Sequence, residues 1–162
     1  MIFSEKNSPA MITTLLLATR NAHKVEEIRA ILSSRFRYLT LNDFPDAPKV
    51  VEDADTFAAN ATKKAVELAN WVSKNRSLKL EFTEAFVLAD DSGLEVDALN
   101  GAPGIYSARF AALTGDGNSS DVANNQKLLR LLADVLMEKR AARFRCVIAL
   151  TPVVAGRISV GH

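Results

Sequence analysis

"VLADDSGLEV", residues 87–96, is the stretch on which the reading of this chain turns. Mostly apolar residues run straight into Asp90 and Asp91, then Ser92 and Gly93, then an alternating run. A carboxylate taken out of water is costly unless a cation, backbone donors or a ligand compensates it. On a regular strand the two aspartates would point to opposite faces. If the strand instead ends there, the Ser-Gly turn can bring both carboxylates to one site, at the strand end where open α/β sheets place ligands. A hard cation such as Mg²⁺ takes oxygen ligands, commonly one or two carboxylates plus substrate phosphates. One carboxylate would hold the metal while the other orients or deprotonates a water. A turn cap of the Asp-Ser-Gly kind accounts for one aspartate but not for two.

Around this stretch, strand and helix patterns interleave. "TTLLLA" (13–18) reads as a buried strand, "HKVEEIRAIL" (23–32) as a helix with Val25, Ile28 and Leu32 on one face, and "FRYLTL" (36–41) as a second strand. After the Asp- and Pro-rich loop "NDFPDAPK", Asp53 or Asp55 is a candidate cap for a helix with an apolar stripe of Phe57, Ala61, Leu68 and Val72. "NRSLKLEFTE" (75–84) is a polar connection; "AFVLAD" and "LEVDAL" are a buried and an alternating strand, and "NGAPG" and "GDGNSS" are turns. Ser120 caps a long helix expected to run through Leu129, Leu132 and Leu136, and "FRCVIALT" and "RISV" close the chain as strands. The fold class is therefore α/β, with a mixed sheet flanked by helices.

Two further stretches bear on chemistry. At "ATRNAHK" (18–24) a buried strand turns into a helix, so free N–H groups and the positive helix end meet, a combination that binds phosphate. Thr19 and Asn21 add donors and Lys24 a point charge, but the turn has no glycine, and a plain capped turn fits it as well. In "VEDADTFAANATKKA" (51–65), Asn60 and Lys64 share a helix face and Glu52 precedes the helix. Glu52 on a metal and Lys64 on a phosphate is one reading; a solvated face is the other. Arg109 is open between a phosphate, an ion pair and a subunit contact. The basic run "KRAARFR" (139–145) suits a helix end, and Cys146, in an apolar run, reads as a buried inert thiol.

The bulk properties suit one domain: 162 residues, 48% hydrophobic, 24% charged, net charge +1. Such a charge gives no general affinity for nucleic-acid polymers or anionic membranes. A single cysteine excludes an internal disulfide and fits a reducing cytoplasm. Residues 1–12 read as a loose leader and 13–162 as the domain.

"LLLATRNAHKVEEI", "TFAANATKKA", "LADDSGLEVDALNGAPGIYSARFA" and "NNQKLL" resemble, in this order, the inosine triphosphate pyrophosphatase family. The resemblance spans nearly the whole chain from Thr13. It implies an elongated two-lobed fold with a nucleotide cleft between lobes, a homodimer, and Mg²⁺-dependent hydrolysis of non-standard purine triphosphates (ITP, dITP, XTP) to monophosphate and pyrophosphate. It further implies that the turn Thr19, Arg20, Asn21 to Lys24 contacts the triphosphate. Glu52, Asp90 and Asp91 would handle the metal, Asp91 would be the general base, and Lys64 and Ser92 would contact substrate. Two departures stand out. Ala59-Asn60-Ala61 replaces the family's "ENA", removing a carboxylate, and no "GFGYDP"-like or "SHR"-like motif follows, as if roughly the last fifth to quarter of an ordinary domain of this class were missing. The alternatives are a catalytically impaired scaffold that keeps phosphate binding or dimerisation, and a related pyrimidine-triphosphate pyrophosphatase.

Overall fold

The structure, a computed structural model, describes residues 12–75, 84–112 and 117–154. Residues 1–11 of the expected leader, 76–83 of the polar connection, 115 and 116 of the "GDGNSS" turn, and the "RISV" strand lie outside the described residues. Among the described residues four strands form one sheet in the order β2-β1-β3-β4. They are β1 (Thr14–Leu17), β2 (Arg37–Thr40), β3 (Ala85–Val96) and β4 (Ala142–Pro152). The helices are α1 (Ala22–Leu32), α2 (Phe57–Lys74) and α3 (Asp121–Leu131), with short 3₁₀ turns between. β1 pairs in parallel with β2 (Thr14 opposite Arg37) and with β3 (Thr14 opposite Ala85). β4 runs antiparallel to β3: Val153 donates to the Ala85 carbonyl near one end and Asp97 to the Ala141 carbonyl near the other. The sheet is mixed, as the alternating segments predict.

By its contacts the chain divides into two compact units. The first holds β1, α1, β2, the part of α2 from Ala65 and the β3 residues up to Ala89. Its central strand, Thr-Leu-Leu-Leu, is buried at every position, because β1 is covered on both faces. Leu15, Leu17, Leu88 and Val25 form one core cluster, with Ile28 and Leu32 of α1 packed on it, so the expected helix face is the observed one. On α2, Leu68 and Val72 are buried in this unit.

The second unit holds Val51–Lys64, Asp90–Val96, the "NGAPG" turn, α3 and β4 as far as Ala149. Phe57 and Ala61 of the α2 stripe are buried here. The cap of α2 is not an aspartate. Thr56 Oγ1 accepts from the Ala59 N–H at 3.1 Å, while Asp53 pairs with Lys63 at 2.6 Å. Ser120 does cap α3, accepting from the Ala123 N–H. However, α3 stops at Leu131, and Leu136 is exposed in extended backbone at the start of a 3₁₀ turn. Cys146 is exposed, contrary to the expectation of a buried thiol: among the described residues β4 is the last strand of the sheet, and it exposes most of its length.

Candidate active site

β3 does not end at the aspartates. It is one strand of twelve residues, and Asp90 and Asp91 sit in its middle, both buried. The expectation that the strand stops there and turns is corrected. Asp, Ser and Gly are poor strand formers, but tertiary contacts hold the backbone extended through them. The close fit at Gly93 is one such contact. A side chain there would overlap the Gly104 carbonyl oxygen and lie 2.5 Å from Ser107 Oγ and 3.0 Å from the Phe57 ring. Ser107 Oγ accepts from the Leu94 N–H at 2.9 Å and donates to the Gly104 carbonyl at 2.6 Å. The "NGAPG" turn that delivers Gly104 needs left-handed backbone at Asn100, Gly101 and Gly104 (φ 53°, 85° and 57°), which explains its glycines. No spacing in the sequence marks Ser107 as part of this site; for Gly93 the signal is a glycine inside a strand pattern.

Against this strand lie the start of α2 and the loop before it. Lys64 Nζ is 2.5 Å from Glu52 Oε1 and 2.6 Å from the Asp90 carbonyl oxygen, to which it donates. Its neighbour Lys63 faces outward to Asp53, so the adjacent lysines divide between site and surface. Asn60, four residues before Lys64, is 1% exposed; its Nδ2 donates to Asp91 Oδ2 at 3.0 Å and its Oδ1 accepts from the Ala54 N–H at 2.9 Å. Arg109 Nη2 donates to the Glu52 carbonyl at 3.0 Å, its guanidinium over the Tyr106 ring. Glu52, Asn60, Lys64, Asp90, Asp91 and Arg109 thus come together within the second unit. Burial pushes the Asp91 carboxyl above its ordinary range; the Asn60 amide opposes this, the Glu52 charge adds to it, and Lys64 and the Ser92 backbone amide again oppose it.

Among the described residues no three His, Cys, Asp or Glu side chains converge as a closed metal cage. Glu52 and Asp91 are close enough for the charge of one to act on the other. Two hard carboxylates suit Mg²⁺ where substrate phosphates supply further oxygens. Asp90 offers its carbonyl to Lys64.

The turn between β1 and α1, Thr19 to Asn21, belongs to the first unit. Asn21 caps α1, its Oδ1 accepting from the His23 and Lys24 N–H groups at 3.0 and 3.4 Å, and Thr19 Oγ1 accepts from the Asn21 N–H at 3.1 Å. Arg20 is exposed, and Thr19 and Lys24 are half-buried. The turn is the capped strand-to-helix junction that the sequence allowed.

The fold and site together define a mixed α/β protein with a buried, pKa-raised aspartate beside a Glu–Lys pair. The chain belongs to the Ham1 family, whose model matches residues 15–160. It is 50% identical over 137 residues to the dITP/XTP pyrophosphatase of Desulforamulus reducens, covering 84% of this chain and 61% of that protein. To the dITP/XTP pyrophosphatase of Geobacter sulfurreducens it is 51% identical over 140 residues, covering 86% and 63%. Among solved structures it resembles the Ham1 protein of Staphylococcus aureus (TM-score 0.67, 36% identity, 85% of this chain and 62% of that one). A HAM1 protein from Coxiella burnetii is similar to the same degree (TM-score 0.67, 34% identity, 87% and 64%). The chain spans about three-fifths of the length of the curated relatives it matches.

Proposed function

We propose that this chain carries catalytic machinery of a nucleoside triphosphate pyrophosphatase acting on ITP, dITP and XTP. The observation that carries the reading is the buried Asp91 carboxyl, raised above its ordinary range and hydrogen-bonded by Asn60, beside the Glu52–Lys64 pair. The names of the relatives, dITP/XTP pyrophosphatase, supply the substrate class. Asp91 accepts a proton from water, the water oxygen bonds to the α-phosphorus, and the α–β bridging bond breaks to release pyrophosphate and the nucleoside monophosphate. Lys64 and, from the β1–α1 turn, Thr19, Arg20, Asn21 and Lys24 bind phosphate oxygens, and Ser92 contacts substrate. Catalysis of this class is mostly positioning and charge neutralisation. Glu52 and Asp91 would hold Mg²⁺, which neutralises phosphate charge when bound. A homodimer in the cytoplasm completes the proposal, on the strength of the motif resemblance and the single cysteine.

The test is product analysis with the chain itself. Incubation with ITP and Mg²⁺ should release pyrophosphate and IMP, and EDTA should stop the release. Orthophosphate as the first product, or turnover of UTP and CTP with none of ITP, would overturn the assignment.

A further inference from the structure

Among the described residues Asn60 is the one polar side chain of the large, fully buried ones, in company with Leu17, Leu68 and Val87. A buried amide costs free energy unless both its ends are hydrogen-bonded. Here both are, and the partners fix which way it points. Ala54 offers an N–H, which only donates, so Oδ1 must face it; Asp91 offers a carboxylate oxygen, so Nδ2 must face that. Turning the amide over would set donor against donor and acceptor against acceptor. Its two partners are also the parts that matter. Ala54 lies two residues after Glu52, on the loop whose carbonyl Arg109 holds and whose carboxylate Lys64 holds, and Asp91 is the carboxylate opposite.

Resting on the function proposed above, we infer that Asn60 is the positioning residue of the site: its amide braces the Glu52 loop against β3 and fixes the rotation of the Asp91 carboxylate. A short side chain anchored on a helix loses little freedom in doing this. Asn60 does not touch substrate; it acts through Asp91 and through the loop.

Two substitutions divide these roles in the full chain. Asn60→Asp keeps an oxygen for the Ala54 N–H but loses the donor to Asp91. Asn60→Leu has similar volume and loses both. Steady-state pyrophosphate release from ITP with Mg²⁺ gives kcat and KM, and hydrogen exchange gives the protection of the Ala54 amide without nucleotide or metal. Both variants should lose about 10- to 100-fold in kcat, the usual effect of removing a residue that orients a ligand or base, with KM little changed. The Ala54 amide should stay protected in Asn60→Asp and exchange fast in Asn60→Leu. With Asp91→Asn already present, neither change should lower the residual rate further, because residues acting as one unit are not additive. Wild-type kcat in Asn60→Asp, or a full additional loss on top of Asp91→Asn, overturns the positioning role. A wild-type chain without turnover, or an Asp91→Asn chain with normal turnover, instead removes the function proposed for the site, and the role of Asn60 with it. Should Asn60→Leu fail to fold, the Asn60→Asp kinetics decide alone.

Discussion

Asp91 carries a conflict that shows how the site is built at the level of single residues. Its burial favours the neutral acid, whereas the base role proposed for it needs the ionised form. Asn60, Lys64 and the Ser92 amide favour the charged form, yet the net shift is upward. Two outcomes follow from that sign. Because the folded pKa exceeds the unfolded one, the folded state binds this proton more tightly, so the contribution of Asp91 to stability falls as pH rises from the unfolded value through the folded one. Above that window the buried charge is a standing cost. Asp91→Asn, nearly isosteric and still able to accept from Asn60, should therefore leave the melting temperature at neutral pH unchanged or raise it. The same change should lower kcat on the order of 10²–10⁴-fold, the usual effect of losing a positioned base. Thermal unfolding and pyrophosphate release on one preparation test both; a variant clearly less stable than wild type at neutral pH would contradict the sign. In the metal-free chain the Asp91 carboxyl should titrate above the ordinary aspartate value of about 4, which NMR of its carboxyl carbon would read.

At the scale of elements, β3 and the start of α2 show where local preference and tertiary contact part company. The apolar stripe of α2 and the buried run of β1 were legible because they repeat at the periods of helix and strand. The continuation of β3 through Asp-Asp-Ser-Gly was not, because each of these residues is individually unsuited to a strand. What holds them extended comes from far along the chain: Asn60 and Lys64 from α2, Ser107 and the Gly104 carbonyl from the turn beyond. That Glu52, Lys64 and Asp91 lie close together was readable, through the motif resemblance. The brace at Asn60 and the clamp at Ser107 were not, since a side-chain hydrogen bond across 31 positions leaves no mark in spacing. The Gly93 contact gives a sharp expectation. Gly93→Ala drives a methyl group into a backbone carbonyl, which cannot move aside as a side chain can, and overpacking of this kind costs about 1–3 kcal/mol. Urea unfolding should show a lower midpoint at an unchanged slope; an unshifted midpoint would mean that the turn yields without cost. Thr56→Ala, which removes the α2 cap, should cost about 1 kcal/mol by the same measurement.

For the molecule as a whole, β4 matters most, and here the sequence misleads for a physical reason. An apolar run such as "FRCVIALT" predicts a covered strand, but hydropathy reports what a residue tolerates and not what lies beside it. Among the described residues β4 ends the sheet. One of its faces turns Arg143 and Arg145 to Glu95 and Asp97. The alternate positions Phe144, Ile148 and Leu150 are 71%, 61% and 56% exposed. Leu136 and Met137, just before the strand, are exposed as well. A strand that ends the described sheet and carries contiguous exposed apolar side chains is a template for contact with another chain. The 162-residue chain should therefore self-associate as its concentration rises, with weight-average mass in sedimentation velocity increasing accordingly. Ile148→Lys places a charge on that face at a position that packs against little, so it should cost within about 0.5 kcal/mol of stability and shift the distribution towards monomer. Phe144→Lys should act in the same direction, whereas Lys49→Glu, an exposed change well away from β4 in sequence, should leave association intact. A chain that stays monomeric across the concentration range, or one whose association Ile148→Lys leaves untouched, would show that the β4 face is not where copies meet.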